Sequence, residues 1–179
     1  MNLTFGVKAL WSGVGRDGEG SLALGEESLT YSAPASMGGK GTGTSPEELL
    51  LAAVTACYSG TLMRVLQRER LPAASLRVET SGLVEQYPEA ARFARITVNP
   101  AIVGGDVERE GEYRAAAIQA RDRCFIGSTV RDSLEYVVGA VSVLKGLEYW
   151  LSNPETKSKI RELLNVRAWL SEFGGIRLV

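Results

Sequence analysis

Residues 41–57 read GTGTSPEELLLAAVTAC, and this stretch contains the clearest start of a secondary-structure element in the chain. Ser45 is positioned to cap a helix, Pro46 fits its first turn, and Glu48 can reach back to the cap. The apolar spacing that follows is helical, and Leu71-Pro72 ends it. We therefore predict a helix from Pro46 to about Arg70, with the glycine-rich segment 37–43 as the loop before it.

Each of the two cysteines is predicted to lie on the apolar side of a helix. The first helix places six residues on one stripe: Leu50, Ala53, Val54, Cys57, Thr61 and Val65. A second helical pattern, from Glu108 to about Ile126, puts Tyr113, Ala117, Ala120 and Cys124 on a shared face. If these helices form the core pair, the thiols meet within the roughly 4.4–6.8 Å of Cα separation that a disulfide needs. Buried cysteines are also ordinary small apolar residues, so this pattern alone leaves both interpretations open.

The remaining segments have strand character. Alternation in residues 2–9, then 21–24 and 28–31, predicts three strands before the first helix. Residues 76–87 and 92–100 form a hairpin around Tyr87-Pro88-Glu89, and residues 136–144 form a last strand. The order predicts an α+β domain over residues 1–145, with two long central helices packed on antiparallel sheet. Residues 146–179 are predicted to be a C-terminal helical extension.

Composition excludes several kinds of chemistry. The chain has 179 residues, no histidine, two cysteines and a net charge of −1. Without an imidazole, the chain has no Ser-His-Asp or Cys-His triad, and two cysteines are too few for a Cys₄ metal site. No basic block predicts a nucleic-acid surface. No signal-like N-terminus is present, and the apolar segment 49–57 is short, so we expect a soluble cytoplasmic protein without a membrane partner.

Gly13 to Gly18 has the spacing of a dinucleotide-binding loop. That motif holds a pyrophosphate only when a helix N-terminus follows it, whereas residues 21–24 are predicted to be a strand. We therefore expect no nucleotide at this loop.

The segment from Gly41 to Cys57 resembles the stretch that leads to the reactive cysteine of the OsmC/Ohr family, with Glu47 ten residues before the cysteine. Arg16, in the loop after the first strand, corresponds to a family arginine. Cys124 corresponds to the second cysteine. The resemblance spans roughly residues 1–145, including the order of elements.

The resemblance implies a peroxidase that reduces organic hydroperoxides and works as an intertwined homodimer. Cys57 would be the peroxidatic thiolate and Cys124 the resolving thiol. Arg16 would keep Cys57 ionised and polarise the peroxide, and Glu47 would orient Arg16. The cycle needs an external dithiol reductant and no metal or organic cofactor. A cysteine of pKa about 8.5 needs such a cationic neighbour to be thiolate at neutral pH.

The position of Glu47 predicts where the site lies. Ten helical residues separate it from Cys57, or about 15 Å along the axis, which a glutamate side chain cannot cross. If Glu47 and Arg16 serve Cys57, some of these groups come from another chain. The active site would then lie at a homodimer interface.

Other interpretations remain for these residues. The hydroperoxide-resistance branch usually has proline after the second cysteine, whereas Phe125 follows Cys124 here. The chain is then either a non-catalytic OsmC-like protein that binds a small ligand or partner, or a thiol redox sensor. Glu47 is also favourable at a helix N-terminus for electrostatic reasons alone. The aromatic residues Trp11, Tyr58 and Phe125 either line a peroxide channel or pack in the core.

Overall fold

The computed structural model describes residues 1–146, which fold into two sheets and three helices. The strands are β1 Lys8–Ser12, β2 Glu19–Leu24, β3 Glu27–Ser32, β4 Ser75–Glu85, β5 Arg92–Val103, β6 Glu135–Val138 and β7 Ser142–Leu144. The helices are α1 Pro46–Arg68, α2 Glu110–Arg123 and α3 Phe125–Val130. This mixed architecture confirms the α+β class. The predicted extension falls almost entirely outside the described residues.

α1 begins as the sequence predicts. The Ser45 side chain accepts a hydrogen bond from the Glu48 N–H, and the Glu48 carboxylate accepts one from the Ser45 N–H. The buried face of α1 carries Val54, Tyr58, Thr61, Leu62, Val65 and Leu66. The predicted stripe was wrong at Ala53, which is exposed, and was displaced at Leu50 and Cys57, which are half-buried. Burial follows the contacts of α1 with α2 and β4, which the spacing alone does not reveal.

The second helical segment differs from the prediction. α2 spans 14 residues and ends at Arg123, so Cys124 lies between α2 and α3 rather than on a continuous helix. Cys124 has an extended backbone, with φ −67° and ψ 116°, and this breaks the helix. Tyr113, Ala117 and Ala120 are fully buried, which confirms their predicted shared face. The small alanine side chains permit the close packing of α2 on α1.

The larger sheet is mixed rather than antiparallel. β4 and β5 form the predicted antiparallel hairpin, but β6 and β7 both pair with β5 in parallel. The predicted strand 136–144 is therefore two strands. Pro100 in β5 has no N–H to contribute, and the Asn99 side chain accepts a hydrogen bond from the Ala140 N–H at 2.8 Å. The pairing is interrupted at that point.

β1, β2 and β3 form a separate antiparallel sheet. The predicted first strand was displaced, because β1 begins at Lys8 and residues 1–7 lie outside any strand. The sheet is joined to α1 through hydrogen bonds between the backbones of Ser32, Thr30 and Thr44, each 3.0 Å long. Tyr87, at the tip of the β4–β5 hairpin, donates to the Met37 carbonyl at 2.7 Å. The glycine-rich loop is thus held from two sides.

Among residues 1–146, α1 alone has the length and composition of a membrane-crossing helix. One such helix is weak support for a membrane span, because the core helix of a soluble protein passes the same test. α1 packs against α2, α3 and β4 and contributes Val54, Tyr58 and Leu62 to the main hydrophobic cluster. These contacts are those of a core helix.

Candidate active site

Cys57 lies in the middle of α1, next to the start of α3. The thiol is free and half-buried. The Ile126 N–H donates to Cys57 Sγ at an N···S distance of 3.5 Å. One turn along α1, Thr61 Oγ1 donates to the Cys57 carbonyl at 2.8 Å. The sulfur therefore has a backbone donor from another element and an opening towards solvent.

Cys124 is fully buried at the junction of α2 and α3. Its Sγ accepts a hydrogen bond from the Gly127 N–H at 3.3 Å, so the thiol takes the place of a capping side chain at α3. Because the Ile126 N–H reaches Cys57, adjacent backbone amides contact the two sulfurs. The structure thus confirms the predicted meeting of the cysteines, and it does so through a helix break.

The environment of Cys57 favours its thiolate. Burial on its own raises the pKa of Cys57. Hydrogen bonds from the Ile126 N–H, the Cys124 thiol, the Phe125 N–H and the Thr61 side chain lower it, and together they outweigh burial. The pKa of Cys57 is therefore below the ordinary cysteine value, as a nucleophilic sulfur requires.

Cys124 has the opposite tendency. Burial raises its pKa, and the hydrogen bond with Cys57 and the charge of Cys57 raise it further. The Gly127 N–H, which donates to the sulfur, and the neighbouring Tyr136 hydroxyl lower the pKa of Cys124 and only partly offset this rise. Of the two thiols, Cys57 therefore ionises more readily, and the pKa of Cys124 is the higher one.

Arg16 lies in the short 3₁₀ turn Gly15–Asp17 and is exposed. Its guanidinium lies against Gly38, where an added Cβ would be 2.8 Å from Arg16 Nη1. Gly38 also has φ +74°, in the left-handed region that favours glycine. Within residues 1–146, Arg16 forms no ion pair with a carboxylate.

Glu47 lies in the first turn of α1, and Glu48 rather than Glu47 completes the capping box. The Oε2 atom of Glu47 is buried and has no hydrogen-bond partner among the described residues. A buried carboxylate oxygen without a donor is costly, so a partner for it is expected. Glu47 does occupy the first turn, the position in which a carboxylate is favourable for electrostatic reasons alone.

The structure brings together the two cysteines and leaves Arg16 and Glu47 apart from them. α1 is continuous from Pro46 to Arg68, so Glu47 and Cys57 are separated by about 15 Å of helix. No ion pair joins Arg16 to Glu47 in the described part of the chain. Within one chain, α1 therefore cannot bring Glu47 to Cys57, and this separation is the premise of the predicted site between two chains.

The aromatic residues near the site divide into two kinds. Tyr58 is fully buried and donates to the Ala117 carbonyl at 3.2 Å, so it is a core residue. Trp11 and Phe125 are exposed, so a core role within one chain was wrong for both. Phe125 is 68% exposed and directly follows Cys124, which places an apolar surface beside the cysteines.

Two contributors to the site escaped sequence reasoning. One is the pair of backbone donors at Ile126 and Gly127, which arises only because the chain breaks helix at Cys124. The other is Tyr136, whose ring packs over Gly127. The sequence holds one signal for the first: Gly127 lies three residues after Cys124, the spacing of a helix cap and its amide partner.

Among residues 1–146, no group of three or more His, Cys, Asp or Glu side chains is arranged to hold a metal ion.

A family model for OsmC-like proteins matches residues 39–138. The sequence is 29% identical over 145 residues to YmaD of Bacillus subtilis, a protein described as uncharacterized. That match covers 79% of this chain and 96% of YmaD.

Solved structures share the fold. An organic hydroperoxide resistance protein OsmC from Legionella pneumophila matches with a TM-score of 0.63 and 22% identity, over 79% of this chain and all of that one. The organic hydroperoxide resistance protein OhrB of Bacillus subtilis matches with a TM-score of 0.54 and 19% identity, over 78% of this chain and 98% of OhrB. At these identities the likeness concerns the fold.

Proposed function

Because the chain belongs to the OsmC-like protein family, we propose that it is a cytoplasmic two-cysteine peroxidase that reduces organic hydroperoxides. The observation that carries this proposal is the paired cysteine geometry, in which adjacent amides of one turn contact both sulfurs. The opposite pKa shifts of Cys57 and Cys124 add to it. Structural neighbours named as organic hydroperoxide resistance proteins favour this substrate class.

In the first step, the Cys57 thiolate attacks the terminal oxygen of the hydroperoxide. The O–O bond breaks, the sulfur is oxidised to sulfenic acid, and the alkoxide leaves with a proton as an alcohol. Arg16 would hold Cys57 ionised and polarise the peroxide. The exposed Phe125 beside the cysteines offers an apolar contact for the organic group.

In the second step, Cys124 resolves the sulfenic acid. Its sulfur forms a bond with Cys57 Sγ, the S–O bond of the sulfenic acid breaks, and water is released with the thiol proton. An external dithiol then reduces the disulfide by exchange, and no metal or organic cofactor takes part. The helix break at Cys124 supports this step. Because α2 already ends at Arg123, the helix does not have to unwind for the Cys124 sulfur to bond to Cys57.

Arg16 and Glu47 enter the site through a homodimer. Glu47 Oε2 is buried without a partner among the described residues, and Arg16 is an exposed cation with no paired carboxylate there. A second copy of the chain would supply the missing partner and bring Arg16 and Glu47 to a cysteine pair. The active site would then lie at the interface between the two copies.

The test is a free-thiol titration of the purified chain before and after one equivalent of tert-butyl hydroperoxide, with intact mass. We expect both thiols to disappear rapidly and the mass to fall by about two daltons as one disulfide forms. Cys57→Ser should lose no thiol rapidly. Cys124→Ser should instead gain about 16 daltons with one equivalent, as Cys57 stops at sulfenic acid, and about 32 daltons with excess peroxide, as Cys57 over-oxidises to sulfinic acid.

Two thiols that persist in the wild-type chain would refute the peroxidase. The retained fold would then point to ligand or partner binding. A disulfide that forms once and is not turned over with excess dithiol would instead identify a redox sensor.

A further inference from the structure

Tyr136, on β6, is a buried tyrosine that has no place in the mechanism so far. The residue is 6% exposed, and its hydroxyl forms no hydrogen bond to any residue of the described part of the chain. Burying a hydroxyl without a partner costs free energy, because water hydrogen bonds are lost and not replaced. A position that keeps such a group needs an explanation.

The ring of Tyr136 lies against the turn that contacts the cysteines. A Cβ added at Gly127 would be 2.3 Å from Tyr136 Cε1, so only glycine permits this packing. The N–H of the same glycine donates to Cys124 Sγ at 3.3 Å. Tyr136 and the sulfur of Cys124 are therefore neighbours around one residue.

Among residues 1–146, the other two buried tyrosines have hydrogen-bond partners for their hydroxyls. Tyr58 donates to the Ala117 carbonyl at 3.2 Å. Tyr113 donates to the Pro72 carbonyl at 2.6 Å and accepts from the Asp106 N–H at 3.1 Å. The hydroxyls of Tyr58 and Tyr113 thus have hydrogen-bond partners in the core. The hydroxyl of Tyr136, beside the cysteines, has none among residues 1–146.

We propose that Tyr136 is a positioning residue whose hydroxyl donates a hydrogen bond to Cys124 Sγ when that sulfur carries negative charge. The inference rests on the proposed peroxidase function and deepens it. In the reduced chain the Cys124 thiol is only a weak acceptor, and its Sγ already receives the Gly127 N–H at 3.3 Å. During turnover the Cys124 sulfur becomes negatively charged in a buried place, where water cannot donate hydrogen bonds to it.

Charge reaches Cys124 at two points of the cycle. In disulfide formation, its thiol gives up a proton, the sulfur bonds to Cys57 Sγ, and the sulfenic oxygen leaves with that proton as water. In re-reduction, an external dithiol attacks the half-buried Cys57, the S–S bond breaks, and Cys124 leaves as a thiolate. The second thiol of the reductant then displaces Cys57 and becomes oxidised to its own disulfide.

The surroundings keep Tyr136 protonated as a donor. Burial raises its pKa, and the nearby Cys124, Tyr58 and Cys57 groups, all negative when ionised, raise it further. The facing titratable groups are thus Cys57 and Tyr58 on α1 and Cys124 after α2, with the cation of Arg121 acting on Tyr58. Tyr136 conversely lowers the pKa of Cys124.

The test compares Tyr136→Phe with the wild-type chain, using rapid acid quench after one equivalent of tert-butyl hydroperoxide. Intact mass then separates the sulfenic acid from the disulfide at each time. We expect sulfenic acid to form at the wild-type rate and the disulfide to form about tenfold more slowly, since a hydrogen bond to a charged sulfur is lost. The pH midpoint of disulfide formation should rise in the variant. Tyr113→Phe is the matched control, because it removes a buried hydroxyl at the far end of α2.

The outcomes separate this inference from the proposed function. If Tyr136→Phe forms the disulfide at the wild-type rate and with the wild-type pH midpoint, the role of Tyr136 is refuted and the proposed peroxidase function is not. An equal slowing in Tyr113→Phe would also overturn it, because general loosening would then be the cause. A large loss of stability in Tyr136→Phe would mean that the hydroxyl has a structural partner, against the inference. If the wild-type chain forms neither sulfenic acid nor disulfide, the peroxidase function fails and this inference with it.

Discussion

At the scale of single residues, the two sulfurs share one turn of backbone and differ in how readily they ionise. Cys57 is half-buried and receives donors from α3, while Cys124 is fully buried and interacts with an already charged neighbour. This difference favours Cys57 as the nucleophile of the proposed cycle. The pH at which each cysteine ionises can therefore be measured separately.

Alkylation with iodoacetamide across pH should show Cys57 reacting with a midpoint below the ordinary value of about 8.5, and Cys124 with a midpoint above it. Cys124→Ala should move the Cys57 midpoint upward, because the substitution removes a hydrogen bond that stabilises the Cys57 thiolate relative to its thiol. Peptide mass analysis identifies the modified cysteine. A Cys57 midpoint that falls in the variant would contradict the proposed direction of that hydrogen bond.

Gly38→Ala should impair Arg16 specifically. The new Cβ would be 2.8 Å from Arg16 Nη1, so the guanidinium must move. Under the proposed mechanism, displacement of the peroxide-polarising group slows sulfenic acid formation by roughly tenfold to a hundredfold, measured by rapid-quench mass analysis.

Gly25→Ala is the control for Gly38→Ala. Gly25 has a similar backbone, with φ +64°, but nothing lies within 4 Å of its added Cβ. Both variants should lose about 1 kcal/mol of stability from the left-handed backbone. Equal activity in the two variants would show that Arg16 does not depend on Gly38.

Sequence reasoning reached Cys57, Cys124, Arg16 and Glu47, because each lies in a motif of local spacing or family resemblance. It did not reach Tyr136. A tyrosine in an apolar strand has nothing in its local pattern to show that its hydroxyl faces a sulfur, since that depends on how β6 packs on α3. Exposure of Ala53 was missed for a related reason: both sides of α1 carry small apolar residues.

At the scale of elements, α1 was predictable because its start is encoded in four consecutive residues. The cap, the proline and the returning glutamate all act within one turn, and all are observed. The break between α2 and α3 and the split of β6 from β7 were not predictable in this way. The latter depends on Pro100 and Asn99 of a different strand.

Ser45→Ala should lower the free energy of unfolding by about 1 kcal/mol, because the Glu48 N–H loses its acceptor at a buried cap. Urea denaturation followed by circular dichroism measures the change. Glu48→Gln is the control, since glutamine also completes a capping box and should cost less. A Ser45→Ala variant as stable as the wild type would mean that the cap does not limit α1.

At the scale of the whole molecule, the smaller sheet and the residues before it carry many exposed apolar side chains. Those at least 40% exposed are Met1, Leu3, Phe5, Val7, Leu10, Trp11, Val14 and Leu29. Many exposed apolar side chains in one region are characteristic of protein interfaces. It is consistent with the proposed homodimer, which stays a prediction for the full chain.

Leu10→Asp tests that surface. Leu10 is 72% exposed on β1, so an isolated chain should tolerate the change, whereas a dimer would bury a charge. Light scattering should give twice the chain mass for the wild type and a lower mass for the variant, with peroxide reduction lost. Ser28→Asp adds a charge to β3 of the same sheet without removing an apolar side chain. Full activity in a monomeric variant would refute an active site shared between chains.

The shared turn at Ile126 and Gly127 has a consequence for observing this protein. Both amide protons point at sulfur atoms whose chemical state changes during turnover. In a nitrogen-15 spectrum, their two signals should shift with each oxidation state of the cysteine pair. The backbone thus carries its own spectroscopic reporter of the redox state, and no label need be attached to the thiols.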